Sequence, residues 1–175
     1  MVSAGFRVKA DASRIPDFDE RKHRPVPGGE LLWSVRAWVV GTCCQMPAEA
    51  RIREALAPVA APEAADRLFD FLQAVALGTA RKLSIACMCD AQVSPDERLL
   101  LSIVGLCQHG RRLEAMILLR MILPPQAAMA ACGSAESLAA ILAGSDCWLA
   151  APRLPSIQHA GFVANVSGAL PAGMH

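Results

Sequence analysis

The sequence predicts an all-α fold: a compact multi-helix bundle or a set of stacked α-hairpins, with about six to eight helices and no significant sheet. Three observations carry that expectation. Apolar residues recur at helical spacing through residues 30–150, prolines and capping residues punctuate the recurrence, and strand alternation is nearly absent. Apolar residues make up 54% of the chain while aromatics make up 5% and Tyr is missing, so the core must be built mainly from Ala, Leu, Val, Ile, Met and Cys, which suits close-packed helices. A chain of 175 residues can bury such a core as one domain without metals or disulfides.

Residues 1–29 combine Pro16, Pro25, Pro27 and Gly28-Gly29 with many charges and show neither helical nor strand periodicity, which predicts a mobile arm. A helical domain over 30–150 follows. Leu31, Leu32, Val35, Trp38, Val39 and Thr42 share a helical face, and that first helix should end between Gly41 and Gln45. A second helix starts at Pro47, with Ile52, Ala55, Leu56 and Val59 on one face and Glu49 and Arg53 spaced as an ion pair on the other. Pro62 opens a third, lined by Leu68, Phe69, Leu72, Val75 and Ala76 and closed near Gly78.

The sharpest boundary is Ser94-Pro95-Asp96-Glu97. Ser caps, Pro begins the first turn, and Glu can reach back to the cap amide, so a helix starts there and runs to about Gln108, with Gly110 as its terminator. The next helix, Arg111 to Leu123, is apolar nearly all round after a basic first turn, which predicts burial on most sides. Pro124-Pro125 stops it. A short Ala-rich helix should then lead to Gly133, with Ser134 capping a last helix through Leu142. Residues 151–175 mix Pro152, Pro155 and Pro171 with the apolar Leu154, Ile157, Phe162, Val163, Val166 and Leu170, which predicts an irregular segment packed on the core or on a neighbouring subunit. A faint echo relates Asp66-Arg67-Leu68-Phe69 and Arg81-Lys82-Leu83 to Glu97-Arg98-Leu99-Leu100 and Arg111-Arg112-Leu113, a period that would suit stacked hairpins.

Seventeen basic and 16 acidic residues give a net charge of +1, so no overall field favours nucleic acid or an anionic membrane. The most apolar stretch, Leu113 to Ala131, is interrupted by Glu114, Arg120 and Pro124-Pro125, which argues against a membrane span. Met1 to Ala10 lacks the apolar run of a secretory signal, and the seven cysteines are odd in number and set among apolar residues. A cytoplasmic protein with reduced thiols is the resulting expectation.

The candidate sites are few. Cys87-x-Cys89 with Cys107-x-His109 offers the ligand types that zinc prefers. Residues two apart on a helix point in opposed directions, however, so these four can converge on a metal or form a thiol–imidazole pair only if Cys87 to Asp90 is a helix end or a loop. Buried cysteines acting as small hydrophobes are the commoner reading, for Cys43-Cys44 beside Met46 as well. Glu20-x-x-His23 is a single half-site in the charged arm, and no Gly-rich phosphate loop or dinucleotide fingerprint is present. Helices 94–108 and 111–123 imitate a helix-turn-helix, but the second lacks the polar face that reads bases.

Basic pairs remain at two predicted helix junctions, Arg81-Lys82 and Arg111-Arg112. With Arg98 and His109 they are the candidate contacts for an acidic partner or an anion, set against a solvated role at the surface. The function class that these observations favour is a non-enzymatic helical interaction or adaptor module that self-associates, with no cofactor. The alternatives are a small-molecule regulator with an apolar pocket between helices, contacted by Arg98, His109 or Arg112, and a thiol- or metal-dependent enzyme using Cys87, Cys89, Cys107 and His109.

Overall fold

The computed structural model describes residues 5–8 and 28–152. The fold is helical: α1 (Gly29–Cys44), α2 (Glu49–Leu56), α3 (Ala64–Gly78), α4 (Pro95–Gln108), α5 (Arg112–Arg120) and α6 (Pro125–Gly144), with two short strands, β1 (Phe6–Val8) and β2 (Leu83–Ile85). The two strands pair in parallel, with Phe6 opposite Leu83, Arg7 opposite Ser84 and Val8 opposite Ile85. Residues 1–4 and 9–27 of the segment read as an arm, and residues 153–175 of the segment read as docked, lie outside the described residues.

β1 corrects the reading of residues 1–29 as free of strand. Three residues are too few for a visible alternation, and tertiary contacts hold them in place. Phe6 is buried edge-on against Trp38, with ring centroids 5.8 Å apart at 77°. Gly5 lies so close to α3 that a Cβ there would stand 2.5 Å from the Ala76 carbonyl oxygen, so only glycine fits.

α3 and α6 form the most extensive helix pair, with α4 and α5 packed on α6, and α1 and α2 packed on each other and on α3. Their shared core includes Leu31, Ile52, Leu68, Phe71, Leu72, Leu100, Ile103, Leu119, Cys132, Leu138 and Leu142. α4 begins where the capping box places it. Ser94 Oγ accepts from the Glu97 amide at 3.1 Å, and Glu97 Oε2 accepts from the Ser94 amide at 2.7 Å.

Two helices differ from expectation. α6 is one continuous helix through Gly133 and Ser134; both face outward, and Ser134 Oγ bonds back to the Ala130 carbonyl instead of capping a new helix. Without that break, α6 is long and apolar enough, by length and composition only, to cross a bilayer. Its Ala128, Ala131, Cys132, Ala135, Leu138, Ala139 and Leu142 are instead buried among α3, α4 and α5, as in a core helix. α5 is not buried on most sides: Ala115, Leu118 and Leu119 face the core, while Leu113, Ile117 and Met121 are 79%, 46% and 69% exposed. The repeat echo also dissolves, since Arg81-Lys82 precede a strand and Arg111-Arg112 open a helix.

Candidate functional site

Two places stand out. The first is the loop between β2 and α4, which is organised by a charge inside the core. Arg36, on the inner face of α1, and Glu97, in the first turn of α4, are both buried and join through Arg36 Nε to Glu97 Oε1 at 2.7 Å and Arg36 Nη2 to Glu97 Oε2 at 3.0 Å. The remaining guanidinium hydrogens are donated to the carbonyls of Cys87 at 3.2 Å, Asp90 at 2.7 Å and Gln92 at 2.7 Å. Glu97 Oε1 also accepts from the Ala86 amide at 3.0 Å. Two buried charges are tolerated because each is paired and hydrogen-bonded on its remaining sides, and together they fix both ends of the loop.

Beside this knot, the Asp96 carboxylate takes the Arg81 guanidinium on two bonds of 3.0 and 2.6 Å and the Ser84 amide at 2.7 Å. The Arg81 guanidinium, and after it the Ser84 amide, hold the Asp96 carboxyl below the usual carboxylate range against the effect of burial.

On the loop held this way, Cys87 and Cys89 lie side by side. Their sulfurs are 2.7 Å apart, and Cys89 is exposed while Cys87 is half-buried. The Asp90 amide bonds to the Cys87 carbonyl at 3.0 Å, closing a turn that brings the two side chains to one side. The condition under which the pair could converge, a loop instead of a helix, is met. Hydrogen bonding to Cys87 raises the Cys89 thiol above its ordinary value. Cys107 is elsewhere: it faces Cys132 in the helical core, and burial pushes its thiol up to about 12.

The structure therefore separates the four residues considered together for metal or thiol chemistry. Cys87 and Cys89 precede α4, and His109 follows it, with a helix about 20 Å long between. Among the described residues, no group of three or more His, Cys, Asp or Glu side chains is placed to hold a metal ion.

The basic candidates do not converge either. Arg81 is committed to Asp96, and Arg98 to the Val93 carbonyl at 2.7 Å. Lys82 is exposed at the start of β2. At the far end of α4, Arg111 bonds to Glu114 at 2.6 Å and to the Pro152 carbonyl at 3.0 Å, and Arg112 pairs with Glu136. His109 is exposed and lies against Trp148, ring centroids 5.6 Å apart. An open cleft of about 280 Å³ lies between α1, α2 and α3, lined by Trp38, Met46, Ile52 and Phe69 among others. Arg98, His109 and Arg112 do not border it.

The second place is the outer face of α5. Leu113, Ile117 and Met121 are four residues apart, so they form a stripe along one side of the helix, opposite the buried Ala115, Leu118 and Leu119. Leu77 and Met129 are also exposed, near where α3 ends and α6 begins. Those ends meet the segment after α5, since the Ala80 amide bonds to the Ile122 carbonyl and Gly78 packs on Leu123 and Ala127.

Sequence reasoning set Arg36 beside Trp33 on a helix face and gave Glu97 a capping role, but missed that Arg36 is buried and pairs with Glu97, and missed the exposure of α5. Arg36 had one visible signal: it is the sole charge in the stretch Leu31 to Cys44, otherwise apolar or small. Comparison with family models, with characterised proteins and with solved structures returns no match, so no activity is carried to this chain from a relative.

Proposed function

We propose that this chain is a self-associating helical interaction module and that the outer face of α5 is where a second copy docks. The observation that carries the reading is the exposed stripe Leu113, Ile117 and Met121 on a well-formed helix. Single exposed apolar residues are ordinary, but a contiguous row on one helix face leaves apolar area in water that a partner can cover.

Three features favour a second copy as the partner. The equal spacing of the stripe maps onto itself under a twofold axis at Ile117, which sets Leu113 level with Met121 of the second copy, as an isologous contact requires. A net charge of +1 leaves little repulsion between copies. The chain also passes Pro152 beside the start of the stripe, where Arg111 holds the Pro152 carbonyl, and it continues with Leu154, Ile157, Phe162, Val163, Val166 and Leu170.

Area makes that last feature necessary. A stable interface needs about 800 Å² from each partner, and a surface row of three side chains supplies well under that. The residues after Pro152 are the segment we assign to supply the rest. Native mass spectrometry of the full chain and of a chain stopped after Pro152 tests this: the full chain is expected at twice its monomer mass and the shortened chain as monomer. A full chain that is monomeric at micromolar concentration would overturn the proposal, and an added organic mass on that monomer would favour the cleft at Trp38 and Phe69 as a ligand site.

A further inference from the structure

We propose that Cys87 and Cys89 form a dithiol site that exchanges with low-molecular-weight disulfides and closes reversibly into an internal Cys87–Cys89 disulfide. Geometry is the primary argument. The two sulfurs stand 2.7 Å apart on a turn closed by the Asp90 amide and the Cys87 carbonyl, so little movement separates the dithiol from a bonded pair. Arg36 grips the loop backbone at Cys87, Asp90 and Gln92 from inside the core, and Glu97 grips it at Ala86 and Ser94. The turn is therefore anchored on both sides of the thiols.

Access is the second argument. Cys89 is exposed, whereas Cys132 is buried in the helical core and the half-buried Cys107 faces it. Thiol exchange needs an in-line approach of the small disulfide to the sulfur, which the exposed Cys89 permits and the buried Cys132 does not.

A thiolate of the pair attacks one sulfur of the small disulfide, forming a mixed disulfide and releasing the first small thiol. The neighbouring protein sulfur loses its proton to solvent and attacks the protein sulfur of that mixed disulfide, forming the Cys87–Cys89 bond and releasing the second small thiol. Two electrons pass from the dithiol to the small disulfide, which is reduced to two thiols. Closing residues only two apart makes a small, strained ring, and a strained and accessible disulfide is readily reduced again. The site thus cycles with its thiol pool instead of locking.

The tryptic peptide Leu83–Arg98 carries Cys87 and Cys89 and no other cysteine, which makes the site separately readable. The full-length folded protein is equilibrated in buffers of graded reduced and oxidised glutathione, quenched with acid, alkylated, digested and weighed. The peptide is expected to convert to a species lighter by two hydrogens as oxidised glutathione rises and to return to the dithiol as reduced glutathione rises. Cys87→Ser and Cys89→Ser should each give the glutathione adduct instead. The synthetic peptide of the same sequence contains Glu97 but lacks Arg36 and the fold that joins the two, so it should need at least about tenfold more oxidised glutathione to reach half conversion, because the fold raises the effective concentration of one thiol at the other. A dithiol that persists throughout, a wild-type protein that collects only glutathione adducts, or a midpoint equal to that of the free peptide would each overturn the proposal.

Discussion

At the scale of single residues, the fold turns on charges placed where a chain this apolar has few. Arg36 and Glu97 are buried, and each bonds to the backbone of the β2–α4 loop from inside the core. Removing one partner leaves the other charged and unpaired in the core. Arg36→Met should therefore lower stability to urea by about 3–5 kcal/mol. A loss below about 1 kcal/mol would mean that the pair is solvated and the clamp is not needed.

Asp96 makes a pH-dependent contribution. Its carboxyl is held below the usual range by Arg81 first and by the Ser84 amide after it, so the folded state binds its proton more weakly than the unfolded state. The stabilisation is fully present above the unfolded pKa, near 4, and is lost as pH falls through the lower folded value. Asp96→Asn should lower the Tm at about pH 6 and lower it less near pH 2, well below the unfolded pKa, where the unfolded chain has already taken up the proton. An equal drop at both would show that shape, not charge, is what Asp96 supplies.

At the scale of elements, the legible parts of the sequence were those written locally. Ser94, Pro95 and Glu97 announce α4 because a capping box is made entirely by neighbours, and the αL glycine at 110, with φ of 68°, terminates it for the same reason. The partner of Arg36 lies 61 residues along the chain, and no local pattern points to it. The apolar content of α5 was legible, but periodicity tells which residues share a face and not what covers that face. β1 was illegible because three residues carry no alternation, and Gly133-Ser134 misled because its helix-breaking tendency is outweighed by the packing of Ala131, Cys132 and Ala135 on the core. Gly133 faces open space in mid-helix, where a Cβ would meet nothing within 4 Å. Gly133→Ala should therefore stabilise the protein by about 0.5–1 kcal/mol in urea unfolding. A loss of stability would contradict a continuous α6.

At the scale of the whole molecule, the two ends of α4 divide the chemistry. The end at Ser94 holds the clamped loop and its paired thiols, and the end at His109 leads into the exposed face of α5 and to Pro152. The basic candidates belong to both ends, and Arg81, Arg111 and Arg112 are held by carboxylates that lie beside them only in the fold or within a turn, which is why the candidate site was less legible than the fold. The remaining apolar surface is what an interaction module needs. Ile117 lies at the centre of the stripe and contributes little to the core, so Ile117→Glu should leave the helical circular dichroism spectrum unchanged while placing like charges opposite each other across a twofold contact. Sedimentation equilibrium of the full chain and of this variant, over a wide concentration range, tests self-association most directly. The account predicts a reversible dimer for the wild type and a dissociation constant at least about a hundredfold weaker for the variant, as expected when a central contact is replaced by a buried unpaired charge. A wild type that stays monomeric, or a variant that dimerises equally well, would contradict it.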